Sequence, residues 1–404
     1  MPGPNLRRNR TILRRTEVWA VSPAGSGKPH RGGTSVRAGV ASLVVLLILA
    51  GCAVRPRAPG IGPPIPWSDV TGWTQDHQSH AWPALLAQCR RLISDAPWAA
   101  LCRAAEARAH PNSVEARAFL QAWFVPHRVY ARNGHRVGLI TGYYEPVVAG
   151  SLTRTSRFRY PLYRRPDNLL HIDLSAIDPT LRGQHLRGRL VRRRVVPYYS
   201  RGDIDRGDVL DGDEIAWLAS PIAAFVMQVQ GSGVIRLPDG RLVALRYADD
   251  NGYAYRPMLD CFHREHIAPP ARLDLPGLKA WLQAHPHQAM RVLDCNPSYV
   301  FFRLGHASRA PLGALGVRLT PRRSIAVDPR YIPLGSPVWL RVRGMHPPLQ
   351  RLVFAQDVGG AIQGPVRADF FWGRGHRAGR RAGRMENPGT ETVLLPRARP
   401  NAPP

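Results

Sequence analysis

The segment Phe354-Ala-Gln-Asp-Val-Gly-Gly-Ala-Ile-Gln-Gly-Pro-Val-Arg-Ala-Asp-Phe-Phe-Trp-Gly373 decides the fold of this 404-residue chain. Its apolar start predicts a strand that carries Asp357 into a glycine-rich turn, and Asp369 precedes a second apolar and aromatic run. Carboxyl groups supply acid/base chemistry, and glycines let the backbone approach a bulky polymer closely. The pattern indicates a sugar-cleaving groove, whereas a tight hairpin with solvated aspartates is the simpler explanation of a lone Asp-x-Gly-Gly.

A third aspartate, Asp328, ends the apolar run Ser324-Ile-Ala-Val327 and is followed by a proline. Asp328, Asp357 and Asp369 are therefore predicted to lie at strand ends within a short span of chain. Clustered carboxylates raise one another's pKa, which makes one of them a usable acid near neutral pH. They could instead bind a divalent metal, but apolar and aromatic residues surround each of them. We expect an acid/base site without a metal or cofactor.

The composition is strongly basic, with a formal net charge of +28 at pH 7. Lysine occurs only at Lys28 and Lys279, so arginine carries almost all of the positive charge, a bias that a GC-rich genome also produces. A charge of this size attracts polyanions, and nucleic acid, anionic lipid and carboxylate-rich cell-wall polymer are all candidates. Arginines scattered along the chain rather than gathered on one helix argue against a nucleic-acid partner.

An apolar run at residues 40–50 precedes Cys52. It is too short for a transmembrane helix, which needs about 20 residues, but it fits the apolar region of a secretory signal. Leu49-Ala-Gly-Cys52 resembles a bacterial lipobox, in which the cysteine is diacylated and becomes the new N-terminus. We predict a signal peptide at 1–51, with a true start near Val36, and lipidation of Cys52. A buried helix that ends in cysteine is the alternative.

The other four cysteines form an even set, which in an oxidising compartment suggests two disulfides. Among three possible pairings we prefer the two that are local in sequence, Cys89–Cys102 and Cys261–Cys295. Helical patterns around Cys89 and Cys102, joined by a turn, would bring the first pair together. Free buried cysteines are the alternative, and none of the spacings is typical of a zinc site.

The remaining chain divides by its pattern. The composition of residues 52–78 predicts a lipidated cysteine followed by a flexible tether. The apolar residues of 80–125 recur at helical spacing. From Val137 onward, short strands bounded by Gly, Pro and Asp predict β-barrels. Only 214–228 and 275–284 read as helices in that part of the chain.

The strand predicted at 137–141 leads into Gly142-Tyr-Tyr-Glu-Pro146. Tyr144 and Glu145 could form a platform for a sugar ring, because aromatic faces match the apolar faces of pyranoses. A tyrosine-rich bend explains the same residues equally well.

Gln228 and Gln230 alternate with apolar residues, so both amides would project from one face of an extended segment. Amides are typical partners for N-acetyl and hydroxyl groups. The following Gly231-Ser232-Gly233 is not continued by the Gly-Lys-Ser/Thr of a phosphate-binding loop or by a complete dinucleotide fingerprint. The sequence therefore argues against nucleotide binding.

The chain resembles the MltA-type membrane-bound lytic murein transglycosylases from about residue 80 to 395. The ordered motifs that carry the likeness are Gly142–Pro146, Gln228–Gly233, Asn251-Gly252, Asn296–Phe302, Arg323–Gly335, Asp357–Gly373 and Arg381–Arg384. The resemblance implies a mainly β fold with N-terminal helices, in which a double-psi β-barrel domain is interrupted by an inserted β-rich domain, with the substrate groove between them. The barrel would comprise 79–146 and 296–396, the insert 147–295, and the disordered tail 397–404.

The resemblance also implies cleavage of the β-1,4 bond between N-acetylmuramic acid and N-acetylglucosamine without water, which leaves 1,6-anhydromuramyl ends. Carried over by position, Asp369 is the acid/base, Asp357 supports it, and Asp328 is supporting or structural. The expected glycan contacts are Tyr144, Glu145, Gln228, Gln230 and Ser232. A non-catalytic murein-binding lipoprotein is the alternative, and the complete aspartate set argues against it.

Two departures from the family pattern stand out. Leu304 occupies a position where glutamate is usual, so we expect a lost groove contact or salt bridge. Asp249-Asp250 stand where smaller or amide residues are usual, so we expect a changed subsite. Neither touches Asp369.

The expected location is the periplasmic side of the outer membrane, because Ala53 rather than aspartate follows the lipidated Cys52. The expected partners are peptidoglycan glycan strands, the membrane through the lipid anchor, and cell-wall synthesis complexes. Nucleic acid is not among them.

Overall fold

The structure is a computed structural model, and it describes residues 58–397 except 183, 185, 308 and 309. The predicted signal peptide, Cys52 and all of the predicted tail beyond residue 397 lie outside the described residues. Within the described residues, no helix combines the length and the apolarity that crossing a membrane requires.

The described residues contain nine α-helices, which we number in chain order. They are α1 (Trp82–Leu92), α2 (Ala96–Glu106), α3 (Ser113–Trp123), α4 (Arg201–Arg206), α5 (Pro221–Val229), α6 (Met258–Arg264), α7 (Leu275–Ala284), α8 (Pro286–Asp294) and α9 (Gly375–Ala382).

The strands of the same part of the chain are β1 (Gly60–Pro64), β2 (Phe124–Tyr130), β3 (Gly138–Glu145), β4 (Val147–Ser151), β5 (Tyr160–Tyr163), β6 (Leu170–Ile172), β7 (Leu186–Val191), β8 (Arg194–Pro197), β9 (Glu214–Leu218), β10 (Gly233–Arg236), β11 (Leu242–Asp250), β12 (Val300–His306), β13 (Ser324–Val327), β14 (Pro337–Val342), β15 (Leu349–Asp357), β16 (Arg367–Arg374) and β17 (Glu386–Pro396).

Six strands close into a barrel in the order β17-β14-β15-β13-β16-β3, because β3 also pairs with β17. Apolar side chains that alternate along these strands fill its interior, among them Ile140, Val327, Ala355 and Phe370. The predominance of strands confirms the prediction of a mainly β fold. The double-psi crossover within the barrel stays a prediction.

The inserted segment builds a second sheet, in the order β12-β11-β10-β4-β9-β5, and a small three-stranded sheet, β6-β7-β8. Two expectations fail here. Residues 214–228 do not form one helix, because β9 pairs with β4 and β5, and Pro221 begins α5 at a position that suits proline. Residues 300–306, which we assigned to the barrel, pair with β11 as β12 of the second sheet.

Both predicted disulfides are confirmed, with Cα–Cα distances of 5.3 Å for Cys89–Cys102 and 5.5 Å for Cys261–Cys295. The first joins α1 to α2 in the helical hairpin that the sequence predicts. These helices bury Leu85 and Leu101 against Phe354 and other outward-facing residues of the barrel. The N-terminal helices therefore cover one side of the barrel.

The predicted tether is wrong from residue 60 onward. Although Gly and Pro dominate β1, it pairs with β2 at the edge of the sheet, where proline is tolerated. Trp73 is buried, and Asp76 forms a buried ion pair with Arg323 at 2.6 Å. The same carboxylate accepts a hydrogen bond from the Leu352 amide at 2.9 Å. This segment is thus part of the folded body.

Replacing Asp76 with alanine should lower the free energy of unfolding by about 3–5 kcal/mol, because it leaves the buried Arg323 guanidinium without its carboxylate. Chemical denaturation measures this change. The matched control is Asp69→Ala, which removes an exposed ion pair with Arg128 and should cost about 1 kcal/mol or less. Equal effects of the two substitutions would contradict the structural role given to Asp76.

Candidate active site

Asp357 and Asp369 are brought together by β13. Ala326 on this strand is aligned with Asp357 of β15 on one side and with Asp369 of β16 on the other. Ile325 faces Ala355, so β15 has one extra residue, Gln356, before Asp357. This bulge puts Asp357 opposite Ala326, where a regular strand would put Gln356. Bulges commonly redirect a side chain in this way beside active sites.

Asp369 lies on the outer surface of the barrel, since its neighbours Ala368 and Phe370 point into the barrel core. It lies inside β16 and not at a strand end, which corrects the prediction. Thr141 of β3 donates a hydrogen bond to its Oδ1 at 2.7 Å. Its Oδ2 makes no hydrogen bond to any of the described residues. One carboxyl oxygen therefore remains available to a ligand.

Burial raises the pKa of Asp369 to about 6, although the Thr141 hydrogen bond and the Arg367 charge act to lower it. The carboxyl group is surrounded by protein atoms but keeps partial contact with solvent. A group with this pKa can both give and take a proton near neutral pH.

Asp357 ends β15 as predicted, but its carboxylate is engaged on both oxygens. Its Oδ1 accepts from the backbone amides of Ala314 and Val358, each at 3.0 Å, and its Oδ2 accepts from the Tyr143 hydroxyl at 2.8 Å. Burial raises the pKa of Asp357 to about 6 against the effect of these three donors. Asp357 is thus a fixed acceptor that orients its neighbours.

Mutual repulsion is not the main cause of the raised pKa values, which corrects the clustering argument. Burial comes first for both groups, and the charge of Asp369 adds only a smaller contribution at Asp357. At Asp328 burial also acts to raise the pKa, but hydrogen bonds from Arg330 and Gly364 outweigh it and hold the pKa below its usual range. Asp328 therefore stays ionised.

Asp328 follows β13 as predicted and acts on the loop between β15 and β16. Its Oδ2 accepts from the Gly364 amide at 2.7 Å and from the Arg330 guanidinium at 2.6 Å. Gly364 has a φ of +99°, a conformation that L side chains rarely adopt, so glycine is required there. The carboxylate thereby holds the connection between the strands that carry Asp357 and Asp369.

Sequence reasoning missed three residues of the site: Thr141, Tyr143 and Arg367. Tyr143 packs against Phe371 with ring centroids 5.1 Å apart, and burial and Asp357 raise its pKa well above the usual value, so its hydroxyl stays a donor. Arg367 donates to the Thr141 hydroxyl at 3.0 Å. The period of two along a strand was the available signal, because it places residues 141 and 143, and 367 and 369, on shared faces.

Tyr144 and Glu145 do not join this cluster, which contradicts their expected role. Tyr144 is buried on the opposite face of β3, where its ring packs against Ala378 and Ala382 of α9. Glu145 is buried and paired with Arg246 at 2.5 Å and with Arg374. Both of its oxygens are occupied, so it ties β11 of the insert to β3 and β16 of the barrel.

Gln228 and Gln230 do not share the face of an extended segment, because α5 runs to Val229. Gln228 is buried in the insert, and its Oε1 has no hydrogen-bond partner among the described residues. Gln230 follows the helix, and its Oε1 accepts from the Tyr144 amide at 2.9 Å. Ser232 is half-buried in the turn before β10, and its glycan contact stays a prediction.

The two departures lie in the insert. Asp249 is buried and accepts from Arg165 and Arg187 at 3.0 Å each and from His171 at 2.5 Å. It therefore joins β11 to β6 and β7, which makes its role structural and not that of a subsite. Leu304 is 44% exposed on β12, and its expected effect stays a prediction.

No group of three or more His, Cys, Asp or Glu side chains in the described part of the chain is arranged to hold a metal ion. Asp328 is directed to Arg330 and Gly364, whereas Asp357 and Asp369 flank Ala326. The geometry suits proton transfer by one carboxyl group.

Two family models match the chain. The MltA specific insert domain matches residues 139–303, and the 3D domain matches residues 323–395. The second match contains all three aspartates of the site.

Known proteins resemble most of the chain. Membrane-bound lytic murein transglycosylase A of Escherichia coli K12 is 34% identical over 266 residues, which are 63% of this chain and 64% of that relative's length. The crystal structure of MltA from Neisseria gonorrhoeae superposes with a TM-score of 0.67 at 32% identity, and covers 87% of this chain and 100% of that one. Escherichia coli MltA with bound chitohexaose superposes with a TM-score of 0.62 at 25% identity, and covers 84% and 95%. The chain belongs to the MltA family.

Proposed function

We propose that the protein is a lytic transglycosylase that cleaves the β-1,4 bond between N-acetylmuramic acid and N-acetylglucosamine in peptidoglycan without water. The observation that carries the proposal is the contrast between two half-buried carboxyl groups. Burial raises the pKa of both groups to about 6, but one oxygen of Asp369 makes no hydrogen bond to the described residues, whereas both oxygens of Asp357 are held by three hydrogen-bond donors.

The first step is proton donation. Protonated Asp369 gives its proton to the glycosidic oxygen while the bond from that oxygen to the muramyl C1 breaks. Positive charge develops at C1, as in other glycosidic cleavages. The departing N-acetylglucosamine leaves with a new hydroxyl group.

The second step closes the anhydro ring. The muramyl C6 hydroxyl attacks C1 within the same sugar, and the Asp369 carboxylate takes the hydroxyl proton. The acid is thereby regenerated and a 1,6-anhydromuramyl end results. An intramolecular nucleophile has a high effective molarity, which removes the need for a bound water.

The engagement of Asp357 favours this route over hydrolysis. Ordinary glycosidases use a second carboxylate as nucleophile or as a base for water. Both oxygens of Asp357 already accept hydrogen bonds from Ala314, Val358 and Tyr143. Asp357 supports Asp369 by holding Tyr143 in place, and Asp328 supports it by fixing the loop through Gly364.

The relatives support the choice of substrate. The E. coli relative is named as a murein transglycosylase, and E. coli MltA holds a chitohexaose, which is a polymer of N-acetylglucosamine. We propose that the glycan strand lies over the outer face of β3 and β16, between the barrel and the insert. The pairing of Glu145 with Arg246 and Arg374 keeps these two parts together beside that face.

The relatives' description as membrane-bound supports membrane association of this chain. We propose a lipid anchor on Cys52 at the periplasmic side of the outer membrane. Cell-wall synthesis complexes are proposed partners there.

Replacing Asp369 with asparagine should lower the cleavage rate by about 100-fold to 10,000-fold, the usual contribution of a general acid. The measurement is mass spectrometry of fragments released from murein sacculi, in which wild type yields anhydromuramyl ends. The matched control is Glu106→Gln at an exposed position of α2, which should leave the rate unchanged. An unchanged rate in the Asp369 variant would show that Asp369 is not the acid. If the wild type cleaves no murein, the alternative of a non-catalytic murein-binding protein would apply.

Thr141→Val should move the fall in activity to higher pH. Because Asp369 acts first as an acid, activity should decrease as the pH rises through about 6. The Thr141 hydroxyl stabilises the carboxylate, so its loss raises the pKa of Asp369 further. The pH dependence of kcat/KM measures the shift, with the exposed Thr180→Val as control. A shift to lower pH would contradict the role of Thr141.

Cys52→Ser should move the protein from the membrane fraction to the soluble periplasmic fraction, because the thiol that carries the lipid is lost. Mass spectrometry of the mature wild-type chain should find a diacylated Cys52 at its N-terminus. A mature chain that keeps an unmodified Met1 would contradict the anchor.

A further inference from the structure

The small sheet β6-β7-β8 of the insert directs its charged side chains toward the rest of the insert. Arg187 of β7 and His171 of β6 both contact the buried Asp249 carboxylate. Arg189, two residues after Arg187, has its guanidinium 4.1 Å from the centroid of the Tyr199 ring. Because side chains alternate along a strand, the neighbouring positions of these strands point to the opposite face of the sheet.

The opposite face of this sheet is aliphatic. The strand register places five side chains side by side there: Leu170, Ile172, Leu186, Leu190 and Val195. Gly188 lies among them, and a Cβ at this position would be 3.0 Å from both Ile172 Cδ1 and Val195 Cγ1. The five side chains thus form one continuous surface.

This aliphatic face is open to solvent. None of its five side chains packs against a hydrophobic cluster of the described residues. Leu190 is 63% exposed and Val195 is 54% exposed. Antiparallel sheets usually bury their apolar face and expose their polar face, and this sheet does the reverse. Exposed apolar faces of this kind mark interaction surfaces.

The turn between β7 and β8 adds positive charge at one end of the aliphatic face. Arg192 and Arg193 form the turn and Arg194 begins β8, and all three are exposed. None of the three guanidinium groups forms an ion pair with a carboxylate of the described residues. Asp173, which follows β6, lies at the other end of the sheet, because β6 is antiparallel to β7. The turn is therefore purely basic.

An aliphatic face next to a basic turn matches the boundary between an anionic lipid layer and water. Aliphatic side chains enter the outer part of the acyl region, while basic residues are attracted to anionic headgroups. Guanidinium groups also form paired hydrogen bonds with phosphate. Leu190 and Val195 are opposite each other one residue pair before the turn, so the same hairpin tip can make both kinds of contact.

Other occupants fit this surface less well. The three strands together have fewer residues than the roughly 20–30 that each partner contributes to a stable protein interface, which argues against a second copy of the chain. Sugar rings stack on aromatic side chains, and this face carries none. A lipid surface needs no large contact here, because a weak second signal adds to an existing lipid anchor.

We propose that the aliphatic face and the arginine turn of the sheet β6-β7-β8 dock onto the anionic lipid surface of the membrane that carries the protein. The proposal rests on the membrane location given under the proposed function. It goes beyond the lipid anchor on Cys52, because it gives the insert a separate and reversible membrane contact. This contact limits how the folded body can turn on its anchor.

Binding to lipid vesicles tests the arginine turn. The mature chain from residue 52 with Cys52→Ser, which carries no acyl chains, should bind vesicles that contain phosphatidylglycerol more tightly than vesicles of phosphatidylcholine alone. Added salt should weaken this binding. Arg192→Gln/Arg193→Gln/Arg194→Gln should raise the Kd by about 100-fold, which corresponds to about 3 kcal/mol. The control Arg90→Gln/Arg91→Gln/Arg103→Gln removes the same charge from exposed positions of α1 and α2 and should leave the Kd unchanged.

The aliphatic face is tested separately. Leu190→Ser/Val195→Ser should raise the Kd for the same vesicles by about tenfold to 100-fold, because less apolar surface leaves water on binding. The control Val114→Ser/Leu259→Ser changes exposed aliphatic residues of α3 and α6 and should have no effect. Circular dichroism should show the wild-type fold for all four variants.

Vesicle binding by this chain requires neither glycan cleavage nor the lipid anchor, so its outcome is independent of the proposed function. Absence of binding to phosphatidylglycerol vesicles, or equal effects of the sheet variants and their controls, would overturn the proposal. A dimer in sedimentation experiments that Leu190→Ser/Val195→Ser abolishes, without vesicle binding, would also overturn it and assign the face to a second copy of the chain.

Discussion

Hydrogen bonding of the short strand β13 to β15 on one side and to β16 on the other is the constraint on which the site depends. It places Asp357 and Asp369 opposite the same residue, Ala326. The single-residue bulge at Gln356 completes the arrangement. Gln356 itself is buried, accepts a hydrogen bond from the Ser324 hydroxyl and donates one to the Ala84 carbonyl of α1, so hydrogen bonds fix the bulge. Helix α1, which covers the barrel, thus contributes to the position of Asp357.

The charged residues around the site fall into two kinds. Most buried carboxylates are saturated by arginine, as Glu145, Asp76 and Asp249 are, and they hold sheets and segments together. Asp369 differs because Thr141 takes one oxygen and leaves the other free, while burial keeps its pKa near 6. Asp369 thus combines a raised pKa with an oxygen that is open to a ligand, which suits a group that gives and takes a proton.

The sequence predicts local features of this fold well. The apolar runs before Asp328 and Asp357 form strands, and the helical spacing around Cys89 and Cys102 gives the hairpin and its disulfide. The strands and the hairpin are each specified by residues that are close together in the sequence. Asp328 and Asp357 were found because the ends of buried strands are recognisable from apolar periodicity, whereas the role expected of Asp369 came from the family resemblance.

The wrong predictions concern residues whose surroundings are formed by distant parts of the chain. Thr141 and Asp369 are separated by 228 residues, so only the pairing of β3 with β16 reveals their contact. Glu145 looked like a ligand-binding residue because its two arginine partners come from other strands. The predicted tether failed for the same reason, since the composition of β1 does not show that β2 will pair with it.

The central claim is that one carboxyl group cleaves the glycan and that water takes no part. Digestion of murein sacculi in water enriched in oxygen-18 tests this directly, with mass spectrometry of the new muramyl ends. We predict anhydro ends that contain no oxygen-18. Reducing muramyl ends that carry one oxygen-18 atom would contradict the account, because water would then have attacked C1.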